Sequence, residues 1–113
     1  MSANCLRRWL RRTKIYTGSI ATVTIYNERD DLPDVPGAGE LAVAGSLDRP
    51  KWALLDCPCG RGHTILLPLQ KSANPRWALT VDPQGRPTLS PSVDRISEGR
   101  CHFWLRDGRI QWV

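Results

Sequence analysis

The sequence predicts a mostly β protein, a single small antiparallel β domain preceded by a short basic N-terminal helix or arm. Three observations carry this expectation. Nine prolines and nine glycines are spread along the chain, which leaves no room for a long helix. Short runs of branched and aromatic residues recur between them. Asp107-Gly108 stands between Phe103-Trp104-Leu105 and Ile110-Gln111-Trp112, the pattern of a two-residue type I′ hairpin. At 113 residues the chain has the size of one ordinary domain, which can bury roughly 65% of its unfolded surface.

The elements follow in order. Residues 1–14 place Leu6, Trp9 and Leu10 at helical spacing among arginines, a basic arm of marginal helicity on its own; residues 15–113 form the β domain. Thr22–Tyr26 reads as the first strand. The acidic stretch Glu28–Asp34 runs into Pro33, Pro36, Gly37 and Gly39 and reads as a loop. Strand character returns at Glu40–Ala44, Lys51–Asp56, His63–Leu69, Arg76–Val81, Thr88–Ser90 and Cys101–Trp112, the last broken by Asp107-Gly108. Asp82-Pro83-Gln84-Gly85 suggests a second hairpin. Trp52, Trp77, Trp104 and Trp112 each fall in a strand. Such rings can form a base-stacking platform, but in a domain this small they are expected to be core or half-buried lids.

Sixteen Lys and Arg face eleven Asp and Glu, and the excess has an address. Arg7, Arg8, Arg11, Arg12 and Lys14 stand together without an acid, and removing them leaves eleven against eleven. A neutral body argues against a nucleic-acid clamp and confines any electrostatic attraction to the arm. No 18-residue apolar run is present, and no continuous hydrophobic segment follows the basic start, so neither a membrane span nor export is expected. Cys57 and Cys59 are separated by one residue, and a bridge between such close neighbours would strain the backbone. A reduced, cytoplasmic setting with cysteines free to hold a metal fits better.

Two constellations carry chemistry. The first is Cys57-Pro58-Cys59-Gly60-Arg61-Gly62-His63 with Cys101-His102 far downstream, the outline of a zinc-knuckle-like turn that takes its remaining ligands from a distant pair. Neighbours in a regular strand point to opposite faces, so only one of Cys101 and His102 can reach the metal. Cys57, Cys59, His63 and Cys101 form one consistent structural Zn²⁺ set; the competing set replaces His63 with His102 and needs a bulge. The alternative to both is a group of buried free cysteines. The second constellation is Pro87-Thr88-Leu89-Ser90-Pro91-Ser92-Val93. Ser-Pro-Ser is ordinary turn chemistry, but a serine beside a general base becomes a nucleophile. The chain has two histidines, and His102, not consumed by the first metal set, is the candidate base, with Asp94, Asp56 or Asp107 able to orient it.

The order Trp52…Cys57-Pro-Cys-Gly…His63-Thr-Ile-Leu-Leu, Pro75-Arg-Trp77, Pro87-Thr-Leu-Ser-Pro-Ser-Val93 and His102-Phe-Trp-Leu-Arg-Asp-Gly-Arg-Ile-Gln-Trp112 resembles a family of small bacterial and phage proteins. Its members look like BubE, the peptidase-like component that accompanies bacterial ubiquitin-like conjugation operons. The resemblance covers roughly residues 40–113. It implies a cytoplasmic, serine-dependent hydrolase of antiphage defence acting at the carboxyl terminus of a ubiquitin-like protein or its conjugates. It also implies a zinc knuckle as scaffold, Ser92 as nucleophile and His102 as base. Family members often read Cys-Pro-Cys-Gly-Cys, whereas Arg61 stands at the third place here; many carry a cysteine where Gly99 stands, while Cys101 adjoins the histidine. Three function classes follow. They are a peptidase with Ser92 close to His102, a zinc-stabilised protein-binding module, and a nucleic-acid accessory protein that depends on its arginine arm.

Overall fold

The computed structural model describes residues 19–95 and 100–113, so the basic arm expected over 1–14 lies outside the described residues. Two four-stranded sheets face each other. The first has the order β1 (Thr22–Tyr26), β2 (Glu40–Gly45), β3 (Pro50–Asp56), β4 (Thr64–Pro68), and the second the order β5 (Ala78–Val81), β6 (Pro87–Arg95), β7 (Cys101–Arg106), β8 (Arg109–Trp112). Five of the six pairings are antiparallel, as expected; β1 and β2 run parallel. A parallel pair needs a crossover of about a dozen residues or more, and residues 27–39 supply it. That acidic segment contains a 3₁₀ turn, Arg29–Asp31, which packs against β2 and sets the Arg29 guanidinium 4.6 Å from the Trp52 ring centre. Cover on both faces accounts for the unbroken apolar run Leu41-Ala42-Val43-Ala44, all four of which are buried.

One core joins the sheets. Leu41, Val43, Ala53, Leu55, Ile65 and Leu67 from the first meet Leu89, Val93, Phe103 and Leu105 from the second, each strand contributing alternate residues. Ile20 links the two halves: its side chain is buried in the core while its N–H donates to the Gly108 carbonyl at 2.6 Å.

The two predicted hairpins are present. Asp107 and Gly108 have φ of 51° and 78°, both left-handed as a type I′ loop requires. Gly108 is needed there, since a Cβ would stand 2.7 Å from the Ile20 carbonyl oxygen. At the other hairpin the Asp82 carboxylate accepts from the Gln84 and Arg86 N–H groups, and the Gly85 N–H donates to the Asp82 carbonyl.

Among the described residues Trp52, Trp77 and Trp104 are half-buried and Trp112 is exposed. Trp77 packs against the core from one side, Trp112 meets Phe103 edge-on with ring centres 5.6 Å apart, and Trp104 lies under Arg106 on the outer face of the second sheet. Strand β6 is longer than expected, since Ser90-Pro91-Ser92 forms a bulge inside it instead of ending it.

Candidate functional site

The site is built on the β6–β7 pair. Leu89 pairs with Leu105 and Val93 with Phe103, so three residues of β6, Ser90 to Ser92, oppose Trp104 alone on β7. Beyond the bulge the register is regular, with Asp94 opposite His102 and Arg95 opposite Cys101. Val93 and Phe103 point into the core, and the pleat therefore turns Ser92, Asp94 and His102 to the outer face. There the Ser92 Oγ lies 3.0 Å from the His102 Nε2. The Trp77 indole N–H donates to the Ser92 carbonyl at 3.2 Å and ties the bulge to the start of β5. Both ends of the Ser92–His102 contact are half-buried, close enough to solvent to meet a substrate and sheltered enough to hold one geometry.

Of the three acids expected to orient the base, Asp94 alone is placed beside it. Asp56 pairs with Thr64 in the first sheet, and Asp107 sits at a hairpin tip with its N–H donating to the Thr88 Oγ1. Asp94 receives two hydrogen bonds from Arg100, at 3.0 and 2.8 Å. These bonds hold its carboxyl below the usual range against a small desolvation, and the nearby His102 ring adds to the effect. The result is a fixed negative charge directly across the strand pair from the imidazole.

Cys101, one residue before His102, points the other way. Its thiol joins Cys57, Cys59 and His63, with the four ligand atoms all within 4.8 Å of one another. The first three come from the link between β3 and β4. The Cys57 N–H donates to the His63 carbonyl at 2.8 Å, closing the loop, and the Gly60 N–H donates back to the Cys57 carbonyl at 3.2 Å. Gly60 and Gly62, with φ of 77° and 83°, supply the left-handed corners that bend so short a loop. The Cys59 sulfur is 3.4 Å and the Cys101 sulfur 4.0 Å from the His63 Nε2. Tetrahedral zinc with ligands at about 2.1 to 2.3 Å sets its donors roughly 3.5 to 3.8 Å apart, so the residues fit the ion.

The electrostatics fit it too. Hydrogen bonds from Cys101 and Cys57 hold the Cys59 thiol below its ordinary range. Cys57 is pushed up, first by its bond to Cys101, then by its bond to Cys59 and by burial. Cys101 is drawn down by Cys57 but raised more by Cys59 and burial. Three thiolates cannot crowd together unaided, and a divalent cation lifts that restriction. Arg61 places its Nη2 3.7 Å from the Cys101 sulfur. Desolvation works against its charge, and its bonds to Cys59 and Cys101 outweigh that. With a divalent ion bound, three thiolates and the guanidinium would sum with it to neutrality. His63 and Cys101 stand with Cys57 and Cys59 in one cluster that could hold a metal ion, and His102 is not part of it.

Two features of the site carry no sequence signal of their own. The bulge that turns Ser92 toward His102 is invisible because Ser-Pro-Ser also suits a turn. The Trp77–Ser92 bond joins residues fifteen apart, beyond the reach of any local pattern.

A family model described as bacterial ubiquitination-like system serine protease (BubE) matches residues 28–113. The chain belongs to the BubE family. The match takes in β2 to β8, the Ser92–His102 pair and all four members of the thiol–imidazole cluster. No curated protein and no solved structure matches the chain. No helix among the described residues is long and apolar enough to cross a membrane.

Proposed function

We propose that this BubE-family protein is a cytoplasmic serine hydrolase that cleaves the peptide or isopeptide bond following the C-terminal tail of a bacterial ubiquitin-like protein. The observation that carries the reading is the 3.0 Å contact between the Ser92 Oγ and the His102 Nε2 on one face of the second sheet. It favours hydrolysis over a purely metal-stabilised binding module, which has no need of an aligned serine and imidazole.

Ser92 is the nucleophile. Its Oγ attacks the scissile carbonyl carbon as its proton passes to the His102 Nε2. The tetrahedral adduct then collapses, His102 returns the proton to the departing nitrogen, and the tail remains as an ester on Ser92. Water, deprotonated by the same ring, releases the tail as a carboxylate and restores the serine. Asp94, across the strand pair, stabilises the imidazolium that forms in each half-reaction. Cys57, Cys59, His63 and Cys101 would hold a structural Zn²⁺, whose chemistry is that of a cross-link between the sheets. The metal site pins the residue next to the base and takes no part in bond breaking.

The test is cleavage of a ubiquitin-like protein, taken from such a conjugation system and extended at its carboxyl terminus by a reporter. The parent protein is expected to release the reporter and Ser92→Ala to leave it attached while still folding. Equal release by both removes Ser92 from the mechanism.

A further inference from the structure

A groove of about 680 Å³ runs beside β5, lined by the start of β3 and by the link that follows β4. Strand β5 is the edge of the second sheet and has no strand on its outer side among the described residues. On its inner side the groove is apolar, through buried Leu69 and half-buried Leu79. The exposed side chains at its rim are of one sign: Arg49, Lys51, Lys71 and Arg76 stand there against a single acid, Asp48. This concentration is local, because beyond residue 14 the chain has as many acids as bases. Four of those acids, Glu28, Asp30, Asp31 and Asp34, lie together in the β1–β2 link. One of them reaches the rim, where the Glu28 Oε1 is 3.8 Å from the Lys51 Nζ, but both side chains are about half exposed or more and such a pair is weak.

We propose that this groove is a docking site for an extended acidic segment of the protein substrate. The inference rests on the hydrolase reading of Ser92 and His102 and adds what the enzyme recognises beside the scissile bond. Position supports it: Ala78, which lines the groove, pairs with Ser90, two residues before Ser92. With strands about 4.8 Å apart, the groove lies roughly 10 Å from the serine. An extended chain advances about 3.3 Å per residue, so the acidic side chains sit about three residues or more from the bond that is cut. The lining also selects the class of ligand. A groove for single-stranded nucleic acid pairs its cations with aromatic rings that stack on bases, and no aromatic residue lines this one. Cations around an aliphatic strip suit a peptide whose carboxylates alternate with small apolar side chains.

The full-length Ser92→Ala protein serves for the binding test, so that turnover does not intervene. Three fluorescent probes are titrated by anisotropy: an octapeptide of alternating Glu and Ala, its Gln–Ala counterpart, and an eight-nucleotide oligothymidylate. The Glu peptide is expected to bind about tenfold or more tightly than either of the others, and to lose about tenfold when salt is raised from 50 to 500 mM. Arg49→Glu/Lys71→Glu should weaken it by a similar factor. Both residues are exposed, and Arg49→Gln/Lys71→Gln provides a milder second pair whose thermal midpoint is checked in parallel. Equal binding of the Glu and Gln peptides, or unchanged binding in both double variants, overturns the proposal, and tighter binding of the oligonucleotide assigns the groove to nucleic acid instead. Reaction of Ser92 with a fluorophosphonate is measured separately on the parent. An acidic-peptide site without that reactivity sinks the hydrolase reading alone, whereas a reactive Ser92 beside a groove indifferent to charge sinks the docking reading alone.

Discussion

Removing either half of the Ser92–His102 pair separates a catalytic contact from a packing one. The perturbation is a cycle of Ser92→Ala, His102→Ala and the double variant. For folding, Ser92→Ala deletes one half-buried side-chain hydrogen bond of 3.0 Å and leaves the Trp77 bond to the Ser92 carbonyl in place. A bond of this kind contributes about 1 kcal/mol. In a domain of 113 residues that amounts to a fall of about 4 °C in the thermal midpoint. For chemistry, Ser92→Ala and the double variant should take up no label at position 92, and His102→Ala should slow labelling of Ser92 by about 10²-fold or more, because the base activates the nucleophile. The assay is the rate of fluorophosphonate labelling, read as a mass increase on the intact chain and mapped to Ser92. It needs no knowledge of the natural substrate. Labelling of Ser92→Ala at the parental rate, or of Ser92 in His102→Ala at the parental rate, would refute the reasoning.

Four further outcomes are expected. Elemental analysis of untagged protein should find about one zinc per chain, and chelation should lower the melting temperature strongly; no metal, together with freely titratable thiols in the folded protein, would end the metal assignment. Gly108→Ala should destabilise by about 1 to 3 kcal/mol, since φ is 78° and the new Cβ would meet the Ile20 carbonyl at 2.7 Å; calorimetry showing an unchanged midpoint would contradict that geometry. Asp82 is held below the usual carboxyl range by the Arg86 and Gln84 backbone N–H groups and the Arg86 side chain, and Asp94 by Arg100, so their stabilisation is present above the unfolded value of 3.8 and is lost as pH falls through the lower folded values. Melts from pH 6 down to pH 2 should accordingly decline less steeply in Asp82→Asn than in the parent. Deleting residues 1–14 should leave the thermal midpoint nearly unchanged, because the charges of that stretch have no acids nearby in sequence and its one apolar stripe is short; a loss of several degrees would place Trp9 in the core.

The fold was legible where local chemistry decides it. Asp107-Gly108 has to turn because two successive left-handed residues suit almost nothing else, and Thr22–Tyr26 is a strand by the shape of its side chains alone. What local chemistry does not hold is pairing. Nothing in Thr22–Tyr26 says that its neighbour is Glu40–Gly45 running parallel, since that follows from the length of the intervening loop and from what covers the second face of β2. The same limit applies to β6. A proline inside a strand removes a ladder hydrogen bond, so Pro91 reads as an end; the sheet absorbs it as a bulge because Leu89 and Val93 on either side both have core to fill. The tryptophans were harder for a different reason. Ring size predicts burial, but a two-residue period gives Trp104 to the outer face once Phe103 and Leu105 have taken the inner one.

That same period governs the site. On the proposed hydrolase reading, Cys101 and His102 are neighbours whose chemistries must be kept apart, because a metal that captured the imidazole would leave no base for Ser92. A strand separates them without any additional residue: the pleat gives the thiol to the cluster inside and the ring to the serine outside. The arrangement demands that the register at the start of β7 not slip, since a shift by one residue would exchange the two faces. Three features oppose such a slip. Cys101 is held among three other ligand groups, Asp94 and Arg95 pair opposite His102 and Cys101, and the Val113 N–H donates to the His102 carbonyl at 3.0 Å from the far side. On the proposed hydrolase reading, a metal bound at the cluster would be tied to catalysis by geometry alone, because Cys101, which anchors the strand, is bonded to His102, the proposed base.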